Sequence, residues 1–446
     1  MSFTLFKVYL FLLQTRPFDL FAQNLASFRP MLILWILAFV PAVLSAIGKK
    51  ESSAQLRHYV LLASFVFCIV MSQLVGGSPA GALAAVSEFS ATALLFVLTS
   101  LNVTTLDRLR SACMVILLSM LLLCVAGVVA YHFGFMSEQL VLQQLKIENA
   151  VDLPKERAPI PAQDTSGFYM WRVHGVGFFD DPNDFAQAIV MALPWLLWFN
   201  QPGRWFRNMV MVGIPAGLMM YTIFLSNSRG ALLGVASLVF FGIRNMLGTA
   251  RTFLMMGVLG LAATIGSFTG GRGFTTQEES AKQRIEAWYE GLMMVRSSPL
   301  FGIGYGNFTE RHYLTAHNSF VLCFSELGFV GYFCWIAMLV LAFKATSLVA
   351  DHAPVGSEER KAGGLLRSSF VGYVTCAWFL SRTYQPTLYV MLALCVAVLY
   401  CAKRNPDVLK LQAFSSPIPW VKATLVAVMI SFSAVYGFIV LDRIQN

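Results

Sequence analysis

Apolar runs of about 17–25 residues, each long enough to cross a ~30 Å hydrocarbon core as a helix, recur along the chain between short polar segments. That one recurring length restricts the fold to a polytopic membrane protein. Spans are expected near 31–47, 59–75, 80–101, 111–134, 183–200, 208–225, 230–247, 252–268, 319–343, 368–381, 386–402 and 419–440. The expected fold class is therefore all-α: about 12 transmembrane helices in a single multi-pass membrane domain covering 1–446. Composition agrees, with 57% of residues hydrophobic and only 12% charged, about half the charged fraction of a soluble chain. Residues 3–13, FTLFKVYLFLL, form a short run with no small-residue cleavage site after it, so no cleavable signal peptide is expected.

The segments between spans sort by charge. One set is basic: Lys49, Lys50 and Arg57; Arg108 and Arg110; Arg204 and Arg207; Arg244 and Arg251; Lys344, Arg360, Lys361 and Arg367; Lys403, Arg404 and Lys410. By the positive-inside rule this set is cytoplasmic, and the alternating segments face outward. The net charge of +9 follows from this loop bias and does not call for a nucleic-acid partner. Residues 1–30 conflict with the assignment, because they fall outside yet hold Lys7, Arg16 and Arg29; a short extra helix over 3–14 would return the terminus to the cytoplasm.

Two outward segments are long, a first loop at 135–182 and a main loop at 269–318. The main loop contains an amphipathic helix over 276–296. Thr276 and Glu279 have capping-box spacing, and Ile285, Trp288, Tyr289, Leu292 and Met293 form one apolar stripe, with Arg284 one turn before Trp288. Pro299 and the run GIGYGN (302–307) end it. A helix of this kind is expected to lie along the outer membrane–water boundary.

Three spans begin on the outward face with capping sequences. Ser226 or Ser228 can cap the helix that opens at Arg229. FFDDPNDFA offers Asp181 as cap, Pro182 at the first helical position and Asp184 in the first turn; Asn318 caps the helix that starts at Ser319. Helix N-termini carry unpaired N–H groups and partial positive charge, which favour anions. Arg172, Arg229, Arg284, Arg272, Arg311 and Arg382 occupy the same outward layer, against the positive-inside trend. Guanidinium binds phosphate oxygens through a bidentate fork, so the layer suits a lipid-linked phosphate or pyrophosphate. Isolated arginines snorkelling to headgroups are the plainer account, and they suit Arg272, Arg311 and Arg382 better than Arg229.

His317 is the strongest titratable candidate, since imidazole accepts a proton near neutral pH; His312 and His174 are weaker. Asp180, Asp181 and Asp184 are read as caps in preference to metal ligands, and no Asp-x-Asp is present. No metal and no cofactor is expected. All eight cysteines (Cys68, Cys113, Cys124, Cys323, Cys334, Cys376, Cys395 and Cys401) fall within or at the ends of apolar runs, as small hydrophobes in helix packing. Glu88 lies inside a span, and Glu326, nine residues into its helix, either approaches a cavity beneath His317 or pairs with a neighbouring helix.

SNSRGALLG (226–234), QRIEAWYEGLMMVRSSPLFGIGYGNF (283–308) and AHNSFVLCFSELGFVG (316–331) together resemble the core signature of the O-antigen ligase/polymerase superfamily. RVHGVGFFDDPNDFA (172–186) resembles that family's upstream segment. The likeness runs over about 172–331 and elsewhere extends only to hydropathy. It implies a multi-pass bacterial inner-membrane glycosyltransferase with a periplasmic active site. Such an enzyme takes a glycan from an undecaprenyl-pyrophosphate carrier without a nucleotide sugar or metal; attack on the anomeric carbon from the face opposite the pyrophosphate predicts inversion. The acceptor would be lipid A–core in a ligase, or a second lipid-linked glycan in a polymerase. Carried over by motif, Arg229 and Arg284 match pyrophosphate-contacting arginines and His317 the essential histidine. Arg172, Asn183, Ser228, Trp288, Arg311 and Asn318 are expected to line the substrate site. Two rival readings stand beside this one: a transporter or flippase of lipid-linked glycans, and a cell-wall glycan polymerase of similar architecture.

Overall fold

The computed structural model describes residues 2–21, 28–47, 53–145, 169–247, 279–415 and 418–445. The expected span 252–268, together with Arg272 and the capping residue Thr276, lies outside the described residues. Within them the protein is nearly all α-helix, and seven helices are long and apolar enough to cross a membrane. Three shorter apolar helices join them: Ser2–Thr15, Pro30–Ala46 and Arg229–Gly242. The chain is a multi-pass membrane protein.

The sequence leads one to expect about twelve spans, and two of the departures have a local cause. The run 183–200 is α-helical only over Pro182–Ala192 and then tightens to 3-10 over Leu193–Phe199. Pro194 lacks the N–H that would bond four residues back, so the ladder cannot continue unchanged. The run 368–381 belongs to a helix that starts ten residues earlier, Glu358–Ala377. There the Ser357 hydroxyl accepts from Arg360 N at 3.2 Å, and Glu358 and Glu359 occupy the first turn, where the helix dipole favours acids.

The chain forms two compact units, one of residues 1–41 and 110–271, the other of 42–109 and 272–446. In the first unit, α1 (Ser2–Thr15) precedes α2 (Pro30–Ala46), and the Ser2 hydroxyl donates to Ala38 O at 3.1 Å. Arg16, at the end of α1, sits 5.3 Å above the Phe178 ring. That end of the extra helix therefore lies beside the 135–182 segment. Part of that segment, expected to be loop, is a two-stranded antiparallel ladder: β1 (Val141–Leu145) pairs with β2 (Tyr169–Val173), Leu142 opposite Arg172. The strand β2 packs on the helix Ile214–Ser226, and Pro182–Ala192 packs on that helix and on Arg229–Leu247. Ahead of Ile214 the backbone passes through a π-helical turn, Met209–Gly213. Pro215, again without an N–H, follows it.

In chain order the next helices are α3 (Ser53–Val75), α4 (Pro79–Asn102), α5 (Leu106–Phe133), α6 (Pro182–Ala192), α7 (Ile214–Ser226), α8 (Arg229–Leu247), α9 (Glu279–Ser297) and α10 (Ser319–His352); the second unit, which excludes α6 to α8 and nearly all of α5, is built around α10. Helices α3, α9, α11 (Glu358–Ala377), α12 (Pro386–Lys403) and α13 (Val421–Gln445) all pack against α10. Helix α12 is central, with 78% of its apolar window buried; α13, at 22%, is peripheral and presents Met429, Ile430 and Phe438 outward.

The long helix α10 is broken at Gly328, where φ is 63° and ψ is −170°. The break frees backbone groups that lipid cannot satisfy, and residues 299–304 take them up. Ile303 N donates to Ser325 O at 3.0 Å and Gly304 N to Glu326 O at 3.1 Å. Phe329 N donates to Pro299 O at 2.8 Å and Val330 N to Leu300 O at 3.2 Å. This close approach requires glycine on both sides: a Cβ on Gly302 would collide with the Glu326 backbone, and one on Gly328 with the Leu300 backbone.

Candidate functional site

The first unit holds Arg172, Asn183, Ser228 and Arg229. The two serines offered as caps divide their work. The Ser226 hydroxyl bonds back to Ile223 O at 2.6 Å, while Ser228 Oγ accepts from Ala231 N at 3.4 Å and caps α8. Asn227 between them is left-handed (φ 51°, ψ 35°), a conformation asparagine tolerates. This turn delivers Arg229, half-buried, as the first residue of α8.

Arg172 is only 7% exposed, and its fork is directed at protein acceptors. Nε donates to Ser226 O at 2.8 Å, Nη2 to Asn183 Oδ1 at 2.9 Å and Nη1 to Gln144 Oε1 at 3.3 Å. The side chain thus ties β2 to the C-terminal carbonyl of α7 and to the start of α6. Beside it, Asn227 Nδ2 reaches Trp171 O at 3.4 Å. At the start of α6, Asp181 Oδ1 accepts from Asn183 N at 2.7 Å, so Asp181 is the cap that the sequence suggested. Asp180 pairs with His174 at 3.4 Å, whose Nδ1 also lies 2.8 Å from Gly175 O. These acids and His174 are engaged in local structure.

The second unit holds Arg284, Trp288, Arg311, His317 and Asn318. Asn318 is fully buried and caps α10, its Oδ1 accepting from Phe320 N at 2.8 Å and Val321 N at 3.2 Å. The residue before it, His317, is half-buried and left-handed at φ 47°. That backbone costs a β-carbon residue about 1–3 kcal/mol, and such strain concentrates at functional positions. Both motif loops therefore use one device, a left-handed residue directly before the cap: Asn227 then Ser228, His317 then Asn318.

Helix α9 is fastened to the histidine loop. The Trp288 indole N–H donates to Ala316 O at 2.9 Å, the carbonyl that leads into His317. The same ring packs edge-on against Trp378 and Phe438. Arg284 stands one turn earlier on that face of α9. The expected stripe is partly shifted. Trp288 and Leu292 are buried as foreseen, but Ala287, Gly291, Met294 and Val295 join them, while Ile285, Tyr289 and Met293 are half-buried. The reason is the close seat of α9 on α10, where Ser325 Oγ donates to Gly291 O at 3.1 Å. Tyr289 instead receives the Arg443 guanidinium 4.2 Å above its ring. Arg311 is exposed on a short turn, Phe308–Arg311, and His312 closes the next turn through Leu314 N and O.

Sequence reasoning missed Tyr384 and Tyr305. Glu326 pairs with loops and not with a neighbouring helix: Oε1 accepts from Phe308 N at 3.2 Å and Oε2 from Tyr384 OH at 2.8 Å. Burial pushes the Tyr384 phenol well above its ordinary value, and the Glu326 charge adds to the rise, so Tyr384 stays a donor. Burial also raises Tyr305, with Glu88 and Glu326 contributing; its ring lies 4.5 Å from that of Tyr384. The Tyr305 backbone is clamped to α3, N to Ser72 Oγ at 3.1 Å and O to Gln73 Nε2 at 2.6 Å. The signal in the sequence was GIGYGN, whose glycines at 302, 304 and 306 all adopt positive φ. Among the described residues no group of three or more His, Cys, Asp or Glu side chains is arranged to hold a metal ion.

Compared with known protein families, residues 214–336 match one described as O-antigen ligase. The matched stretch contains Arg229, Arg284 and His317 and ends within α10, past the helix break; Arg172 and Asn183 lie before it. No curated protein matches the chain.

Proposed function

Because the chain belongs to the O-antigen ligase/polymerase superfamily, through residues 214–336, we propose that it transfers a glycan from an undecaprenyl-pyrophosphate carrier to an acceptor at the outer face of the inner membrane. The observation that carries this reading is the matched segment itself, in which Arg229 opens α8, His317 lies in the loop that leads into α10 and Arg284 lies in the second turn of α9.

The bond to break joins the anomeric carbon to the carrier's terminal phosphate oxygen. In the proposed reaction His317 accepts the proton of the acceptor hydroxyl, and the hydroxyl oxygen attacks the anomeric carbon from the opposite face. The pyrophosphate leaves with the bonding electrons, and configuration inverts. Arg229 and Arg284 meet the charge that develops on it; one well-aimed donor of this kind contributes about 3–4 kcal/mol. Their guanidinium forks suit paired phosphate oxygens, and the dipole of α8 adds partial positive charge at its start. Arg172, Ser228, Trp288 and Asn318 act through position: each is buried and bonded to the backbone that presents Arg229 or His317.

The test is purified protein with a carrier-linked donor and each acceptor in turn. A ladder of products identifies a polymerase, and a single coupled product on lipid A–core a ligase. A flippase is the second reading, favoured by the broken helix α10, since transporters use interrupted helices. Leaflet exchange in vesicles with no glycan transfer would establish it and overturn the enzyme.

A further inference from the structure

Away from the residues described above, the second unit contains two cavities that share a wall. One is an apolar cleft of about 680 Å³ between the end of α2, the first half of α3 and the last half of α4, lined by Val43, Ile47, Leu62, Val66, Ala93 and Leu94 among others. That volume is within the usual range for a ligand pocket, roughly 300–1,000 Å³. The other cavity is small and polar, with Gln55, Ser100, Thr104, Arg108 and Tyr400 in its lining. Ala46, Tyr59 and Leu101 line both. The Tyr59 ring forms the partition, its hydroxyl 2.7 Å from Ser100 Oγ.

Two guanidinium groups converge on the polar end. Arg404 Nη1 donates to Thr104 O at 2.9 Å, and Arg108 Nη1 reaches Thr104 Oγ1 at 3.4 Å and Asn102 O at 3.3 Å. Both arginines are exposed. Arg57 and Lys403, from the same basic edge, lie within electrostatic reach of each other. Of the nearby acids, Glu359 accepts from Asn405 Nδ2 at 2.9 Å and Asp407 pairs with Lys410.

We propose that the paired cavities bind an anionic glycerophospholipid, with one acyl chain in the cleft and the phosphate against Arg108 and Arg404. The arrangement matches: an apolar cleft shares Ala46, Tyr59 and Leu101 with a polar pocket that has Arg108 in its lining and Arg404 bonded to Thr104 beside it. The charge matches too, since basic pockets between membrane helices on the cytoplasmic side attract anionic headgroups. Selection rests on the headgroup, because a hydrocarbon chain gains little by moving from bilayer to cleft. The site is independent of glycan transfer and uses none of the residues assigned to it.

Native mass spectrometry of the delipidated full-length protein, titrated with phosphatidylglycerol, phosphatidylethanolamine and undecaprenyl phosphate in parallel, tests this. Phosphatidylglycerol should be retained at one per chain in preference to the other two. The pair Arg108→Gln and Arg404→Gln keeps donors toward the Thr104 turn but removes both charges, and should weaken retention by roughly 30-fold. Ala93→Trp, which fills the cleft, should remove the adduct while both charges remain. Equal retention of phosphatidylethanolamine, preference for the polyprenyl phosphate, or phosphatidylglycerol binding unchanged in the charge-removed protein would each overturn the proposal. If Ala93→Trp does not fold, the arginine pair alone decides.

Discussion

His317 and Arg229 are each set by their neighbours before any substrate arrives. His317→Ala should abolish glycan transfer while the protein still inserts and melts as the parent does; transfer by that variant would exclude the base role. Arg229→Lys should fail to recover activity lost in Arg229→Ala, because an ammonium group cannot grip two oxygens in a fork; the assay is product formed from a carrier-linked donor. Arg172 should behave differently. Its buried guanidinium holds Ser226 O and Asn183, so Arg172→Ala should lower stability by about 3 kcal/mol, read as a depressed melting temperature in detergent. Sequence spacing revealed the caps Asp181 and Asn318, since a cap is decided by its own side chain and the next three residues. It did not reveal that Arg172 would bond a carbonyl 54 residues away, or that Trp288 would bond the peptide before His317. Such pairs are made by tertiary packing.

At the scale of elements, periodicity located most helices to within a few residues, including the amphipathic one expected over 276–296 and found over Glu279–Ser297. It failed where backbone pairing is long-range. The ladder of Val141–Leu145 with Tyr169–Val173 was read as loop because five-residue strands are too short to show a period. The break in α10 was invisible because a single Leu-Gly within an apolar helix is common; only the 299–304 segment, packed against it, makes the glycine obligatory. Gly328→Ala should therefore cost more than about 2 kcal/mol, since its φ/ψ region is nearly exclusive to glycine and the Leu300 backbone blocks a Cβ. Gly364→Ala, in the middle of α11 with nothing within 4 Å, should be neutral or stabilising by about 0.5–1 kcal/mol. Thermal unfolding of the two variants side by side measures the contrast.

Across the whole molecule, hydropathy told that the protein crosses a membrane several times, and loop charge supplies the expected orientation. They did not tell how many runs would form complete spans, because Pro194 ends one α-helical run early and the charges of 358–367 extend another. None of the eight native cysteines is in a disulfide and all are buried, which leaves a quiet background for accessibility labelling. Tyr313→Cys, at a position 67% exposed beside the histidine loop, should react with an impermeant maleimide once the outer membrane is opened. Val355→Cys, 88% exposed among the basic residues, should react only after the inner membrane is breached. The reverse pattern would invert the orientation and remove the outer-face site.

The division of α10 at Gly328 separates two jobs along one helix. Residues 329–352 would extend about 36 Å at 1.5 Å per residue, enough to traverse a bilayer core unaided. Residues 319–327 are then free of any anchoring duty and serve as a bracket beneath His317. On the role proposed for His317, biogenesis and chemistry would draw on different stretches of the same element: a lesion in the bracket should silence the protein yet leave it correctly threaded, and invisible to any screen that scores only assembly.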